Sequence, residues 1–230
     1  MGRELKRYER NSDNFKYLAD GELTLAGIDV HWGSSEVLYS RDEFTEEIFN
    51  EEFEIMSGEW YVEDGWIVGK NPNPCPGMII SKADYFGDVM LDVKVKMVEP
   101  STHDINIMIN GEWDREKDRR GLAYVAGLEA FWHGNIGFEK SPEYKLIAAT
   151  SMLDFKPDKE YRFQLGNAGG RLFVLVDGKL GLEINDPDPI DSSKFGKIGF
   201  EAFSSWWKMK EIRVVKLAYT RTKERYIPEF

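Results

Sequence analysis

Apolar and polar residues alternate with a period of two along most of the chain. Leu91, Val93, Val95 and Met97 are apolar, while Asp92, Lys94 and Lys96 between them are polar. That is the pattern of a strand with one face in a core and the other in water. Ile105, Ile107 and Ile109 alternate in the same way with Asn106, Met108 and Asn110, and Tyr161, Phe163 and Leu165 repeat it. Turn chemistry falls between such runs. Asp64-Gly65 separates Trp60-Tyr61-Val62 from Trp66-Ile67-Val68, and Asp177-Gly178 separates residues 172–176 from 180–184. Asp-Gly supplies the positive φ angles that a tight hairpin requires. The sequence Asn167-Ala168-Gly169-Gly170 reads as a third hairpin connection.

Further strands are expected at residues 22–30, 36–39, 78–81, 122–132, 144–151, 197–203 and 211–219. The one helical candidate is 41–52, where Phe44, Ile48 and Phe49 form a short apolar stripe beside a run of glutamates; it is expected to make one or two turns. Residues 71–77, rich in proline, read as a loop. About a dozen short strands at near-regular spacing, with almost no helical periodicity, predict an all-β antiparallel sandwich. A chain of 230 residues is compatible with one such unit. The expected organisation is a single domain over residues 1–230, with 1–35 as an N-terminal extension and 220–230 as a polar tail.

Charge narrows the partners. The formal net charge of −11 repels phosphate backbones and anionic headgroups, so neither nucleic acid nor a membrane surface is expected as a partner. The basic residues Arg115, Lys117, Arg119 and Arg120 are interleaved with Asp114, Glu116 and Asp118, and read as a solvated loop. Cys75 is the single cysteine, which excludes an intrachain disulfide. His31 and His103 lie at no metal-ligand spacing, and the carboxylates Asp186, Asp188 and Asp191 follow no known calcium order, so ordinary loop solvation is the expected reading there. With no phosphate-binding glycine loop and no serine elbow, no cofactor is expected, and nucleotide enzymes and serine hydrolases drop out. Residues 1–10 are charged and lack the apolar stretch of a secretory leader, which gives a cytoplasmic expectation. Self-association is left open.

From Leu38-Tyr39, through Gly58-Glu59-Trp60 and the Asp64-Gly65 turn, to residues 127–132 and 144–149, the Asp177-Gly178 hairpin and Gly196-Lys197-Ile198-Gly199-Phe200, the chain resembles the YesU-like proteins. The resemblance spans roughly residues 36–217, and its matched features are mostly turn and core positions. It implies a concanavalin A-like jelly roll, and an association with the breakdown of plant polysaccharide such as rhamnogalacturonan. No catalytic residues carry over from it.

Candidate chemistry therefore comes from the residues themselves. A sandwich that binds ligand on a sheet face needs polar rows opposite its core-facing rows. Asn106 and Asn110 lie on one such row. Glu129 and His133, opposite Leu128, Ala130 and Trp132, lie on a second; Glu201, opposite Ile198, Phe200 and Ala202, lies on a third. If the rows share a face, Asn106, Asn110, Glu129, His133 and Glu201 converge on a groove whose amides and carboxylates suit the hydroxyls of a sugar. Trp113, Trp132, Trp206 and Trp207 are candidates for stacking against pyranose rings, with burial in the core the competing role for Trp132, as for Trp60 and Trp66. Glu129 and Glu201 are the candidate carboxylate pair, and His133 a candidate general base. Two readings stay open: an oligosaccharide-directed glycoside hydrolase or polysaccharide lyase, and a non-catalytic carbohydrate-binding or structural module.

Overall fold

The computed structural model describes residues 22–130, 135–151 and 153–221. In chain order the strands begin with β1 (Glu22–Leu25), β2 (Ile28–His31) and β3 (Glu36–Arg41); the helix α1 (Glu46–Glu52) follows. Then come β4 (Phe53–Ile55), β5 (Glu59–Glu63), β6 (Trp66–Ser81), β7 (Val89–Met97), β8 (Ile105–Gly111), β9 (Trp113–Asp114), β10 (Arg119–Arg120) and β11 (Ala123–Ala130). The chain closes with β12 (Asn135–Ser141), β13 (Lys145–Thr150), β14 (Tyr161–Ala168), β15 (Arg171–Val176), β16 (Lys179–Asn185), β17 (Lys197–Lys216) and β18 (Tyr219–Arg221). The three expected hairpin turns form. Asp64-Gly65, Gly169-Gly170 and Asp177-Gly178 all carry positive φ at both turn residues, which matches the right-handed twist of the flanking strands. Helix α1 is the short element expected within 41–52, with the Thr45 hydroxyl accepting from the Ile48 amide as its N-cap.

Two long strands build the sandwich. The first part of β17 pairs with β8 at residues 197–202 and with the end of β6. Together with β11, β12 and β13 on one side and β4 on the other, these form one sheet, in the order β13-β12-β11-β8-β17-β6-β4. The second part of β17 pairs with β7 at residues 207–216, with β3 at 212–216 and with the start of β6. This half continues through β14, β15 and β16 into the second sheet. Both strands turn the corner at irregularities: β17 at a bulge between Phe203 and Ser205, and β6 at Pro72–Cys75, which have no partner across the ladder and stand exposed. Bulged strands that switch sheets are how sandwich corners are made. The proline-rich stretch expected as a loop is thus an outward arch within a strand, and the two strands expected at 197–203 and 211–219 are largely one.

The apolar rows of β7, β8 and the first part of β17 face as expected. Ile105, Ile107 and Ile109 from β8, Phe200 and Ala202 from β17, and Leu91, Val93 and Val95 from β7 meet in one core between the sheets. The residues expected as an N-terminal extension are structural where they are described. Strand β2 pairs with β1 on one side and β18 on the other, and Leu23, Leu25, Ile28, Val30 and Trp32 pack on Met90, Phe173, Leu175 and Val215 as a second core. The start of the predicted tail, as far as Arg221, is the third strand of this small sheet. No helix among the described residues is long and apolar enough to cross a membrane.

Candidate functional site

The outer face of the first sheet, opposite the core, carries the site. Direct cross-strand pairing aligns Ala149, Gly137, Gly127, Asn106, Glu201 and Met78 in one row, and Leu146, Glu139, Val125, Met108, Gly199 and Ile80 in the next. Paired residues project to the same side of a sheet. Two adjacent glycines in the first row therefore leave bare backbone between Ala149 and the polar pair Asn106 and Glu201. On this face a cavity of about 440 Å³ takes in Asn106 and Glu201 from the first row and Glu139 and Leu146 from the second, within the range of small-ligand sites. Asp104, Asn106, Glu129, Glu139 and Glu201 supply its polar lining, and Tyr144, Leu146 and Phe203 its apolar lining.

A buried arginine joins the rows. The hairpin β9–β10 folds over the outer face and delivers Arg120, which is 1% exposed. Its Nη1 donates to Glu201 Oε2 at 2.6 Å, its Nη2 donates to Glu139 Oε1, and its Nε donates to Ser141 Oγ at 2.8 Å. The guanidinium thus spans β11 and β8, the two strands between its glutamates. The Tyr144 ring lies over it at 4.7 Å, its outer side exposed. Reading Arg115–Arg120 as a solvated loop fails at this last residue, because the hairpin turns Arg120 inward onto two carboxylates that lie 19 and 81 residues away in the chain.

Burial dominates the electrostatics. It pushes the Glu139 carboxyl up to about 7, with Arg120 pulling down and Glu201 pushing further up. Burial likewise raises Glu201 against the pull of Arg120. Asp104 rises to about 7, first through burial and then through the nearby Glu201 and Glu139, despite the hydrogen bond its Oδ1 accepts from Asn106 Nδ2 at 2.8 Å. These carboxyls gain protons at a pH where free carboxylates have lost them.

The backbone is strained around the cavity. Asp104, Glu129, Tyr144 and Ser204 all carry positive φ, at 76°, 53°, 51° and 51°. Each such residue costs about 1–2 kcal/mol, and strain of this kind concentrates where function needs a side chain aimed against local preference. The bulge between Leu128 and Ala130 shows how. Strict alternation would send Ala130 to the core side with Leu128, but the extra residue leaves both Glu129 and Ala130 against the cavity. The Asp104 loop is held by its own amide donating to the Glu129 carbonyl at 3.1 Å and by the Ser205 hydroxyl donating to the Asp104 carbonyl at 2.8 Å.

The structure thus brings Asn106, Glu129 and Glu201 together. His133 and Trp132 lie outside the described residues. Asn110 is not at the cavity: it is fully buried, its Nδ2 donating to the Gly87 carbonyl and its Oδ1 accepting from Asn167. Its φ of 45° at an irregularity in the β8–β17 ladder takes it out of the row that alternation would give. Trp207 is also a correction. It is wholly buried against Trp60 and Phe200, because it follows the bulge at Phe203–Ser205 and so falls on the core side. Trp206 is half-buried beyond the sheet corner with the Lys70 ammonium over its ring, and Trp113 packs at the edge of the outer apolar cluster with its Nε1 donating to Asp118; neither lines the cavity. Arg120, Glu139, Asp104, Tyr144 and Phe203 take the places that the tryptophans and Asn110 were expected to fill. Asp186 accepts from Tyr124, Lys140 and the Asp188 amide, as an ordinary loop carboxylate does, and no cluster of metal-ligating residues occurs among the described residues.

No protein-family model matches the chain, and no curated protein is recognisably similar to it in sequence. Solved structures do share its fold. A Bacillus subtilis protein of unknown function with a galectin-like fold superposes with a TM-score of 0.65 at 13% identity, over 80% of this chain and 99% of that one. The carbohydrate-binding module CBM66 of Bacillus subtilis gives 0.56 at 14% identity, over 70% and 93%. An endo-β-1,3-glucanase of Pyrococcus furiosus gives 0.57 at 11% identity, over 86% and 98%. At these identities the likeness establishes the architecture: the chain is an antiparallel jelly-roll β-sandwich of the kind these proteins share.

Proposed function

We propose that this chain holds an oligosaccharide in the cavity on the outer face of its first sheet. The observation that carries the reading is the pairing, in one cavity, of a rigid Glu139–Arg120–Glu201 bridge with the exposed apolar surfaces of Tyr144, Leu146 and Phe203. Sugars present hydroxyls on the ring edge and C–H groups on the ring face. Carboxylates fixed by an arginine accept from the first, and aromatic faces cover the second. The fold shared with a carbohydrate-binding module and a glucanase supports this choice, and the YesU-like resemblance adds plant polysaccharide as the source of the ligand.

A catalytic role for the same cavity has one observation in its favour. Asp104 and Glu139 are held near 7, the range in which a carboxylic acid can donate a proton to a leaving group at neutral pH. The test is calorimetric titration with a panel of neutral and acidic plant oligosaccharides, with chromatography of the same mixtures for products. Tyr144→Ala and Phe203→Ala are each expected to weaken binding ~10-fold, about 1.4 kcal/mol. A panel in which nothing binds, or binding indifferent to both substitutions, refutes the assignment.

A further inference from the structure

The charge inventory of the cavity says which sugars it takes. Among the described residues four carboxyl groups face it: Asp104 from the loop before β8, Glu129 from the β11 bulge, Glu139 from β12 and Glu201 from β17. Against them stand Arg120 and, on the lining, His103. All three guanidinium nitrogens of Arg120 are already engaged, by Ser141, Glu201 and Glu139, and the Tyr144 ring covers its face. An arginine that recognises a ligand carboxylate does so by offering a free fork of two N–H groups. Here the protein's own glutamates occupy that fork. A sugar carboxylate entering the cavity would meet up to four like charges, inside a molecule whose net charge is already −11.

Resting on the reading that this cavity is the sugar site, the geometry points to a ligand without carboxylates: a neutral sugar, or a uronate whose acid is masked as its methyl ester, with free uronates excluded. Among the described residues, the lining groups that remain, the carboxylate oxygens, the Asn106 amide and the Ser204 hydroxyl, accept from and donate to hydroxyls, and His103 is the one basic side chain on the lining. Within plant polysaccharide this directs the cavity to the neutral and esterified regions and away from de-esterified polygalacturonate.

Two ligands with one skeleton isolate charge from shape. Fully methyl-esterified tetragalacturonate and free tetragalacturonate, with cellotetraose as a neutral reference, are titrated into the intact protein at pH 8 and pH 5. The ester is expected to bind at least 10-fold more tightly than the acid at pH 8. The gap is expected to shrink at pH 5, where Asp104 and Glu139 take up protons while the free uronates remain ionised. Around Glu139 the charged and titratable groups are Arg120, Glu201, Asp104 and Tyr144, with Arg119 beside Tyr144, so the pH response belongs to this group as a unit. Asp104→Asn is expected to lower the ester-to-acid ratio at pH 8 at least 3-fold. Free acid that binds as tightly as the ester at pH 8, with both lost in Tyr144→Ala, overturns the charge rule and keeps the site. Failure of the ester and cellotetraose to bind, or binding unaffected by Tyr144→Ala and Phe203→Ala, overturns the site and the rule with it.

Discussion

Replacing Arg120 with methionine tests the electrostatic account of the site at its centre. Methionine fills most of the volume but leaves Glu139 and Glu201 buried without a cation. Burial already holds Glu139 at about 7 with Arg120 in place, against about 4.3 for a free glutamate; at ~1.4 kcal/mol per pH unit this is a standing cost on the order of 3 kcal/mol at pH 8. Removing one partner of a buried ion pair typically costs a further ~3–5 kcal/mol. In a domain of this size, ~1 kcal/mol lowers the melting temperature by ~2–4 °C, so Arg120→Met is expected to melt ~6–20 °C below the parent at pH 8. The sign with pH follows from linkage. Glutamates whose folded pKa lies above the unfolded value stabilise the fold below the unfolded value and lose that contribution as pH rises through the folded one. The deficit of Arg120→Met is therefore expected to be smallest near pH 4–5 and largest at pH 8. Adding Glu139→Gln and Glu201→Gln to Arg120→Met is expected to recover more than half of it, since the uncompensated charges are then gone. Urea unfolding at the two pH values measures this, with an unchanged m-value certifying a stability effect. A loss below ~1 kcal/mol at pH 8, or an equal loss at both pH values, would refute the buried-bridge account.

Two further outcomes check the reassigned residues. Trp207→Ala is expected to cost ~3–5 kcal/mol, because the ring is wholly buried between Trp60 and Phe200, whereas Trp206→Ala at the half-exposed corner is expected to cost under ~1.5 kcal/mol; thermal melts that rank them in reverse would contradict the placement. Deleting residues 1–35 uncovers Met90, Phe173, Leu175 and Val215, and is expected to yield a chain that binds hydrophobic dye and aggregates, against the undisturbed melting curve that a dispensable extension would leave.

Alternation carried the sequence reading as far as alternation is obeyed. It sent Ile105, Ile107 and Ile109 inward and Asn106 and Glu201 outward, and all five lie there. It failed at bulges. A bulge adds one residue, so the faces past it invert; Trp207, offered as a binding residue along with Trp206 for its polar, turn-like setting, falls on the core side for that reason. Glu139 had a readable signal in Ile136 and Phe138 flanking Gly137, but the segment after His133 was not taken as a strand. Arg120 had none. Its neighbours in sequence are charged and solvated, and its partners are set by the pairing of β12 with β11 and of β17 with β8, which no local window contains. The cavity depends on which polar residues the strands bring side by side, a property of register rather than of composition.

The corner-turning β17 also governs how the molecule can be made. It pairs with β3, β6, β7 and β8, and it follows all of them in the chain. During synthesis, β7 and β8 each have one free edge, and β6, paired with β5 and β4 along one edge, has its other edge open, until residues 197–216 leave the ribosome. The halves of the sandwich cannot mature one after the other as independent units; both wait for the same late segment and close around it together. Such long-range closure is slow, and the open edges are templates for pairing with other chains while it waits. Nascent molecules of this protein are therefore most exposed to aggregation in the interval between the emergence of β8 and that of β17, and a holding chaperone would have its substrate in those unpaired edges.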